Sequence, residues 1–275
     1  MRVAFGILFL FMFCCLHAQY LTESAESMAV AGSGVAYTDF WNGSNNQSAL
    51  AWSDDMTVGV GYNNRYMLSQ LSNRNLTFAY PLKNKGGVFS LNVNQYGYSA
   101  YRISKGGLAY SRLFGEKFAA ALQFDMFQFN FGDEYYGKNV AFTFEGGLQY
   151  KINKQLSIGT HIFNPVRAKL SSSENEVMPS AISLGLALSL SKNVAITTDV
   201  VKESDYPASL RVGFMYRFRE IFNVRAGFAS APFNVSGGVG FNLNGFNFNI
   251  STSYYQTLGI VPAVSLFYQI KSGKK

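Results

Sequence analysis

The chain has 275 residues, a formal net charge of +7, a pI near 9.3, and 16% aromatic residues. No basic cluster interleaves with aromatics on a single element, so the charge does not read as a nucleic-acid surface, and no nucleic-acid partner is expected. The two cysteines, Cys14 and Cys15, both fall within the first 18 residues. The remainder therefore has no disulfide, thiolate metal site or cysteine nucleophile.

In chain order, Arg2 is followed by an apolar run over residues 3–16 and then by Leu16-His17-Ala18. This reads as a secretory signal peptide over 1–18, too short to span a membrane, with the mature chain starting at Gln19. Residues 19–55 do not alternate. They are small and polar, with Ser24, Ala25, Ser27, Ala29, Ala31, Gly32, Ser33, Gly34 and Ala36, then Asp39-Phe40-Trp41-Asn42 and residues 45–52. Such a segment is too Gly- and Ala-rich for a helix exposed to water, but it suits packing inside a tube.

From Met56 onward the chain falls into runs of about ten residues in which apolar and small or polar side chains alternate. Ile182, Leu184, Leu186, Leu188 and Leu190 alternate with Ala181, Ser183, Gly185, Ala187 and Ser189. Leu210, Val212, Phe214, Tyr216 and Phe218 behave in the same way, as do Phe246, Phe248, Ile250 and Thr252. Runs of this length cross a bilayer, whereas soluble strands are shorter. The fold class expected is an all-β, transmembrane antiparallel β-barrel. A secreted sandwich or soluble barrel is the alternative. Strands are placed at 56–63, 74–82, 87–95, 106–114, 117–129, 139–151, 155–163, 180–190, 194–202, 208–219, 222–230, 234–243, 246–255 and 261–271. That makes fourteen, or twelve if two weak runs are loops. The domain plan is thus signal peptide 1–18, N-terminal segment 19–55 and barrel 56–275.

Short turns alternate with longer connections at 64–73, 96–105, 130–138, 164–179, 203–207, 231–233 and 256–260, and Asn244-Gly245 is a strong hairpin signal. Outer-membrane barrels have short periplasmic turns, which puts both termini in the periplasm of a Gram-negative bacterium, with outer-membrane lipids and lipopolysaccharide around the wall. Lys83, Lys85, Lys117, Lys154 and Lys192 mark the short turns, while Asp133, Glu134, Glu174, Glu176, Glu203 and Asp205 mark the long loops. One irregularity stands out. Phe118 to Met126 hold one phase, and Phe127, Phe129 and Phe131 take the other. Either a β-bulge near Asp125–Phe127 or departure of the upper stretch from the bilayer accounts for it.

Candidate chemistry is sparse. His161 is the only histidine after the signal peptide, and a turn centred on Asn153 sets it across from Glu145 on the lumen face. The pair could act as an acid–base couple, but no nucleophile or oxyanion motif accompanies it, so a structural hydrogen bond is preferred. A lone imidazole rules out a multi-histidine metal site. No cofactor, metal or catalytic residue is expected. Arg211, Arg217, Arg219 and Arg225 share the inward phase of two strands, with Arg217 expected beside Arg225 and Asp199 across from Arg211. This ladder could bind a carboxylate or phosphate, but pairing within the lumen, with Asp39, Asn45 and Asn46 as partners, is the preferred reading.

Residues 27–36, Ser-Met-Ala-Val-Ala-Gly-Ser-Gly-Val-Ala, and residues 46–51, Asn-Gln-Ser-Ala-Leu-Ala, resemble the opening and the Asn-Pro-Ala-Gly-Leu-Ala hatch motif of the FadL-type outer-membrane family and its PorV and PorQ relatives. Gln47 stands where that motif has Pro, and Ala49 where it has Gly. The resemblance implies a fourteen-stranded barrel with a hatch folded into the lumen, and it makes Ser27, Gly32, Gly34, Asp39, Asn45, Asn46, Gln47 and Ala49 candidate hatch residues. The function it implies is a hatch-plugged passive channel for small hydrophobic or amphipathic molecules. The alternative is a non-catalytic scaffold of a type IX secretion or surface-assembly system, with secretion-machinery proteins as partners.

Overall fold

The computed structural model describes residues 24–132, 137–169 and 177–271. The signal peptide and the acidic loop residues Asp133, Glu134, Glu174 and Glu176 lie outside the described residues.

Fourteen antiparallel strands form one closed barrel. They are β1 (Met56–Asn64), β2 (Ser72–Pro81), β3 (Val88–Tyr98), β4 (Tyr101–Phe114), β5 (Phe118–Phe131), β6 (Lys138–Lys151), β7 (Leu156–Phe163), β8 (Ala181–Ser189), β9 (Val194–Glu203), β10 (Ser209–Phe218), β11 (Phe222–Ser230), β12 (Phe233–Leu243), β13 (Phe246–Tyr255) and β14 (Gly259–Ile270). Each strand pairs with the next, and β1 closes on β14 with Met56 opposite Ile270. Closure leaves no edge, so the strand backbones satisfy their hydrogen bonds within the wall.

Period-two alternation sorts the side chains. Leu184, Phe142, Phe124, Val235 and Ile260 are exposed on the outer face, while Thr57, Thr77, Ser111, Gln149, Thr197 and Ser265 are buried on the inner one. The wall is therefore apolar outside and polar inside, the reverse of a soluble barrel. An aromatic girdle rings the end that carries the short turns. Phe89 meets Tyr110 with ring centres 5.0 Å apart, Phe222 meets Phe241 at 5.2 Å, and Phe246 meets Tyr268 at 4.3 Å. At the same end β12 and β13 are joined by Asn244 and Gly245 alone, both at positive φ (50° and 88°). A type I′ hairpin requires such angles, and Asn-Gly adopts them most readily.

Two expectations need correction. The long connection at 96–105 does not exist, because β3 and β4 continue to the pair Tyr98–Tyr101 and turn through Ser99 and Ala100. Nor is there a bulge in β5. Its ladder with β4 runs unbroken from Phe114–Phe118 to Tyr101–Phe131, and its ladder with β6 is equally regular. Phe127 and Phe129 simply face inward, 1% and 2% exposed, with Gln128 and Asn130 outward. They join Ile103, Ala141, Phe163 and Met178 in an apolar cluster inside the barrel. Both misreadings have one cause. Toward the end opposite the short turns, on the long strands β4 to β6, the wall turns to soluble-type polarity, so the outward-apolar rule stops applying while the strands go on.

Candidate functional site

Residues 24–52 run through the barrel interior, touching the inward faces of strands on every side. The segment opens with a five-residue helix, α1 (Ala25–Ala29), whose Ser24 side chain caps it by accepting from Ser27 N at 3.1 Å. This helix packs on Val261 and Ala263 of β14, at the end with the longer connections. The chain then crosses to β9, where the Asp199 carboxylate accepts from Gly34 N at 2.6 Å and Val35 N at 3.0 Å. Gly34 holds φ +131°, open only to glycine in practice, and this presents both amides to one oxygen. On β7 the segment's backbone comes so close that a Cβ on Gly159 would lie 2.5 Å from Val35 O and 2.9 Å from Ala36 Cα. Phe40 and Trp41 pack with Ala79, Val88 and Phe267 toward the short-turn end. The segment leaves there, with Lys151 Nζ 4.0 Å over the Trp52 ring.

Asn46 organises the second half. Its Oδ1 accepts from Ser48 N (3.2 Å) and Ser48 Oγ (2.7 Å), opening the 3₁₀ turn Gln47–Trp52, and its Nδ2 donates to Val35 O at 2.8 Å. Ala49 N closes the turn on Asn46 O at 3.0 Å. Asn45 Nδ2 donates to Ser27 Oγ at 2.8 Å, tying the two ends of the segment together. Gln47 reaches the wall, where its Nε2 donates to Glu145 Oε2 at 2.6 Å and its carbonyl accepts from Ser111 Oγ at 2.7 Å.

Glu145 is the centre of a buried polar network. Its oxygens accept from Lys105 Nζ, from Gln47 and from His161 Nε2 at 3.0 Å. Lys105 also faces Asp125 at 3.5 Å, and Asp125 accepts from Gln123, which continues through Asn92 to Thr77. Above it the Lys105 ammonium lies 5.5 Å from the ring centres of both Phe127 and Phe163, so the apolar cluster roofs the charges. Sequence reading missed Lys105 because it fell in the supposed 96–105 loop, and Asp125 because it lay at the supposed bulge.

The ladder geometry corrects several pairings. Glu145 stands opposite Phe163 and His161 opposite Gly147, a slip of two residues that keeps both side chains inward and leaves them bonded on the diagonal. Arg217 stands opposite Asn223, not beside Arg225, and is exposed. Arg219 lies beyond the end of β10 with φ +49° and takes no part in the ladder. Asp199 is directly opposite Arg211, whose guanidinium lies against Gly32, where a Cβ would come within 2.9 Å of Nη1. Arg225 finds its anion in Glu26 at 3.0 Å, not in Asp39. Asp39 instead accepts from Asn42 N at 2.7 Å. Burial, followed by the Glu26 charge, pushes its carboxyl up to about 7.

Beside α1, a small cleft of about 30 Å³ is lined by Ser27, Met28, Arg211, Asn234, Ser253 and Tyr255. Among the described residues no group of three or more His, Cys, Asp or Glu side chains is arranged to hold a metal ion. The oxygens of Glu145 are committed to donors from Lys105, Gln47 and His161, which makes the Glu145–His161 pair a bracing contact and leaves it no free base.

The fold and its filled lumen define a closed fourteen-stranded barrel with an internal N-terminal segment. No protein-family model matches the chain, and no curated protein matches it. Solved structures do. The Ralstonia pickettii toluene transporter TbuX is similar at 12% identity, with a TM-score of 0.72 over 92% of this chain and 100% of that one. The P. putida toluene transporter TodX matches at 13% identity and 0.66 over 91% and 99%. A Pseudomonas aeruginosa FadL homologue matches at 11% identity and 0.67 over 91% and 99%. At these identities the shared property is the fold.

Proposed function

We propose that this protein is a FadL-like channel of the Gram-negative outer membrane, passing small hydrophobic or amphipathic molecules, with residues 19–55 as its hatch. In this reading the short-turn end, where Met56 meets Ile270, faces the periplasm, and the apolar outer face meets lipid. The observation that carries it is the small-residue segment bonded to the inward faces of β4, β6, β9 and β11 to β13 in a barrel whose fold is that of proteins described as hydrocarbon transporters. Small hydrophobic solutes are the class that a lipopolysaccharide leaflet holds back, so a protein path serves them best. The scaffold alternative has in its favour only the compact connections Ser99–Ala100 and Ala231–Pro232, and it would require a stable co-purifying protein partner.

The test is planar-bilayer conductance of the full chain beside a deletion of residues 27–51. The wild type should be nearly silent and the deletion clearly conductive, with both showing heat-modifiable migration on a gel. Equal conductance would remove the hatch. Toluene uptake into cells, raised by the wild type over cells lacking it, tests the substrate class separately.

A further inference from the structure

On β2 to β6 the outer face changes chemistry part-way along each strand. Outward Leu122, Phe124 and Met126 on β5 give way to Gln128 and Asn130, and outward Leu91 and Val93 on β3 give way to Gln95. On β4, Leu108 and Gly106 are followed by Ser104 and Arg102. On β2, Leu76 is followed by Arg74, and on β6 Phe142 and Val140 lead to Lys138. The register aligns these positions across the wall. Arg74 is opposite Gln95, Gln95 opposite Ser104, and Ser104 opposite Gln128; Arg102 is opposite Asn130, and Asn130 opposite Lys138. With strands about 4.8 Å apart, Arg102 and Lys138 bracket Asn130 at roughly 10 Å.

On β4 to β7 the inner face inverts at the same level, where Ile103, Phe127, Phe129, Ala141 and Phe163 form the apolar cluster, while β2 and β3 keep Asn73, Asn75 and Asn94 inside. A wall that is polar outside and apolar inside has left the hydrocarbon, so its outward cations stand at the depth of lipid headgroups. No outward position of β2 to β6 carries an acid. On β12 to β14 the outer face shows no such change, since Phe233, Val235, Tyr254 and Ile260 keep it exposed and apolar up to the connections.

We propose that Arg74, Arg102 and Lys138, with Gln95, Ser104, Gln128 and Asn130 between them, form a one-sided docking strip for the phosphates of an outer-leaflet lipid, the bisphosphorylated lipid A of lipopolysaccharide. Guanidinium forks and an ammonium, spaced across a flat polar face, match two phosphates carried on a rigid disaccharide, and the apolar rows below receive its acyl chains. The assignment rests on the proposed orientation, in which the longer connections face outward.

The experiment is native mass spectrometry of the detergent-solubilised full chain titrated with bisphosphorylated lipid A. Binding should weaken on the order of fivefold for each cation removed, through Lys138→Gln alone and then R74Q/R102Q/K138Q together. The control K83Q/K154Q/K192Q, at the short turns, should bind as the wild type does. Dephosphorylated lipid A should bind the wild type and the triple variant equally weakly. Unchanged binding by both Lys138→Gln and the triple variant, an equal loss in the control, or tight binding of the dephosphorylated lipid would each overturn the proposal. Tighter binding of phosphatidylglycerol than of lipid A would overturn the choice of lipid. Binding in detergent does not depend on orientation or on conductance, so its failure is a separate result from failure of the channel reading.

Discussion

Lys105 is the residue on which the buried network turns. It is 4% exposed, faces Glu145 and Asp125, and is roofed by two aromatic rings, so its removal strands two carboxylates out of reach of water. Breaking a buried ion pair from one side costs about 3–5 kcal/mol, whereas replacing both partners costs far less. Lys105→Met should therefore lower the unfolding midpoint of the barrel in urea, and K105M/E145Q should recover part of the loss; additive losses in the double variant would mean that the charges act independently. Asp39 carries a different prediction. Its folded-state pKa of about 7 exceeds the ordinary 3.8, so the folded chain binds the extra proton between those values, and the contribution is present at acid pH and lost as pH rises through about 7. Protease resistance of the N-terminal segment should fall across that interval in the wild type and stay flat in Asp39→Asn. An unchanged slope in the variant would show that another group is responsible.

At the scale of elements, the segment and the wall fit through close backbone approach. Gly159 has no room for a side chain against Val35 and Ala36, and bonds from Asp199 and Glu145 hold the segment on either side of it. Gly159→Val should displace the segment while leaving the strands paired, because the strand itself tolerates a β-branched residue well. Raised bilayer conductance with an unaltered β-type circular dichroism spectrum is the expected pair of results; a silent pore would show that the segment accommodates the methyl groups. The strands β4, β5 and β6, each fourteen residues long, change polarity along their length without a break in the ladder. Periodicity therefore located the strands but ended β3 early and began β4 late, where the side of the wall that is apolar switched.

At the scale of the molecule, the proposed orientation has a direct test in a chain without cysteines after residue 15. An impermeant maleimide on intact cells should label Asp205→Cys, at the longer connections, and spare Lys154→Cys, at a short turn. The reverse pattern would invert the barrel. Ser24, the first described residue, lies toward the longer connections, while Trp52 lies at the short turns, so the segment traverses the lumen from end to end before β1 begins.

The sequence by itself determined the number of strands, their order, most of their bounds and which face of each is apolar, because those follow from local alternation and from turn residues such as Asn244 and Gly245. It determined less well which side chains meet. Moving the centre of a turn by one residue, from Asn153 to Lys154, slides the register by two and keeps every side chain on its own face, so alternation cannot sense the difference. The Glu145–His161 bond was legible, but only the tertiary structure decided that Glu145 also gathers Lys105 and Gln47, that Arg225 takes Glu26 in place of Asp39, and that Phe127 turns inward above the apolar belt. Those contacts join residues 16 to 199 positions apart, and closing the barrel is what brings them within reach.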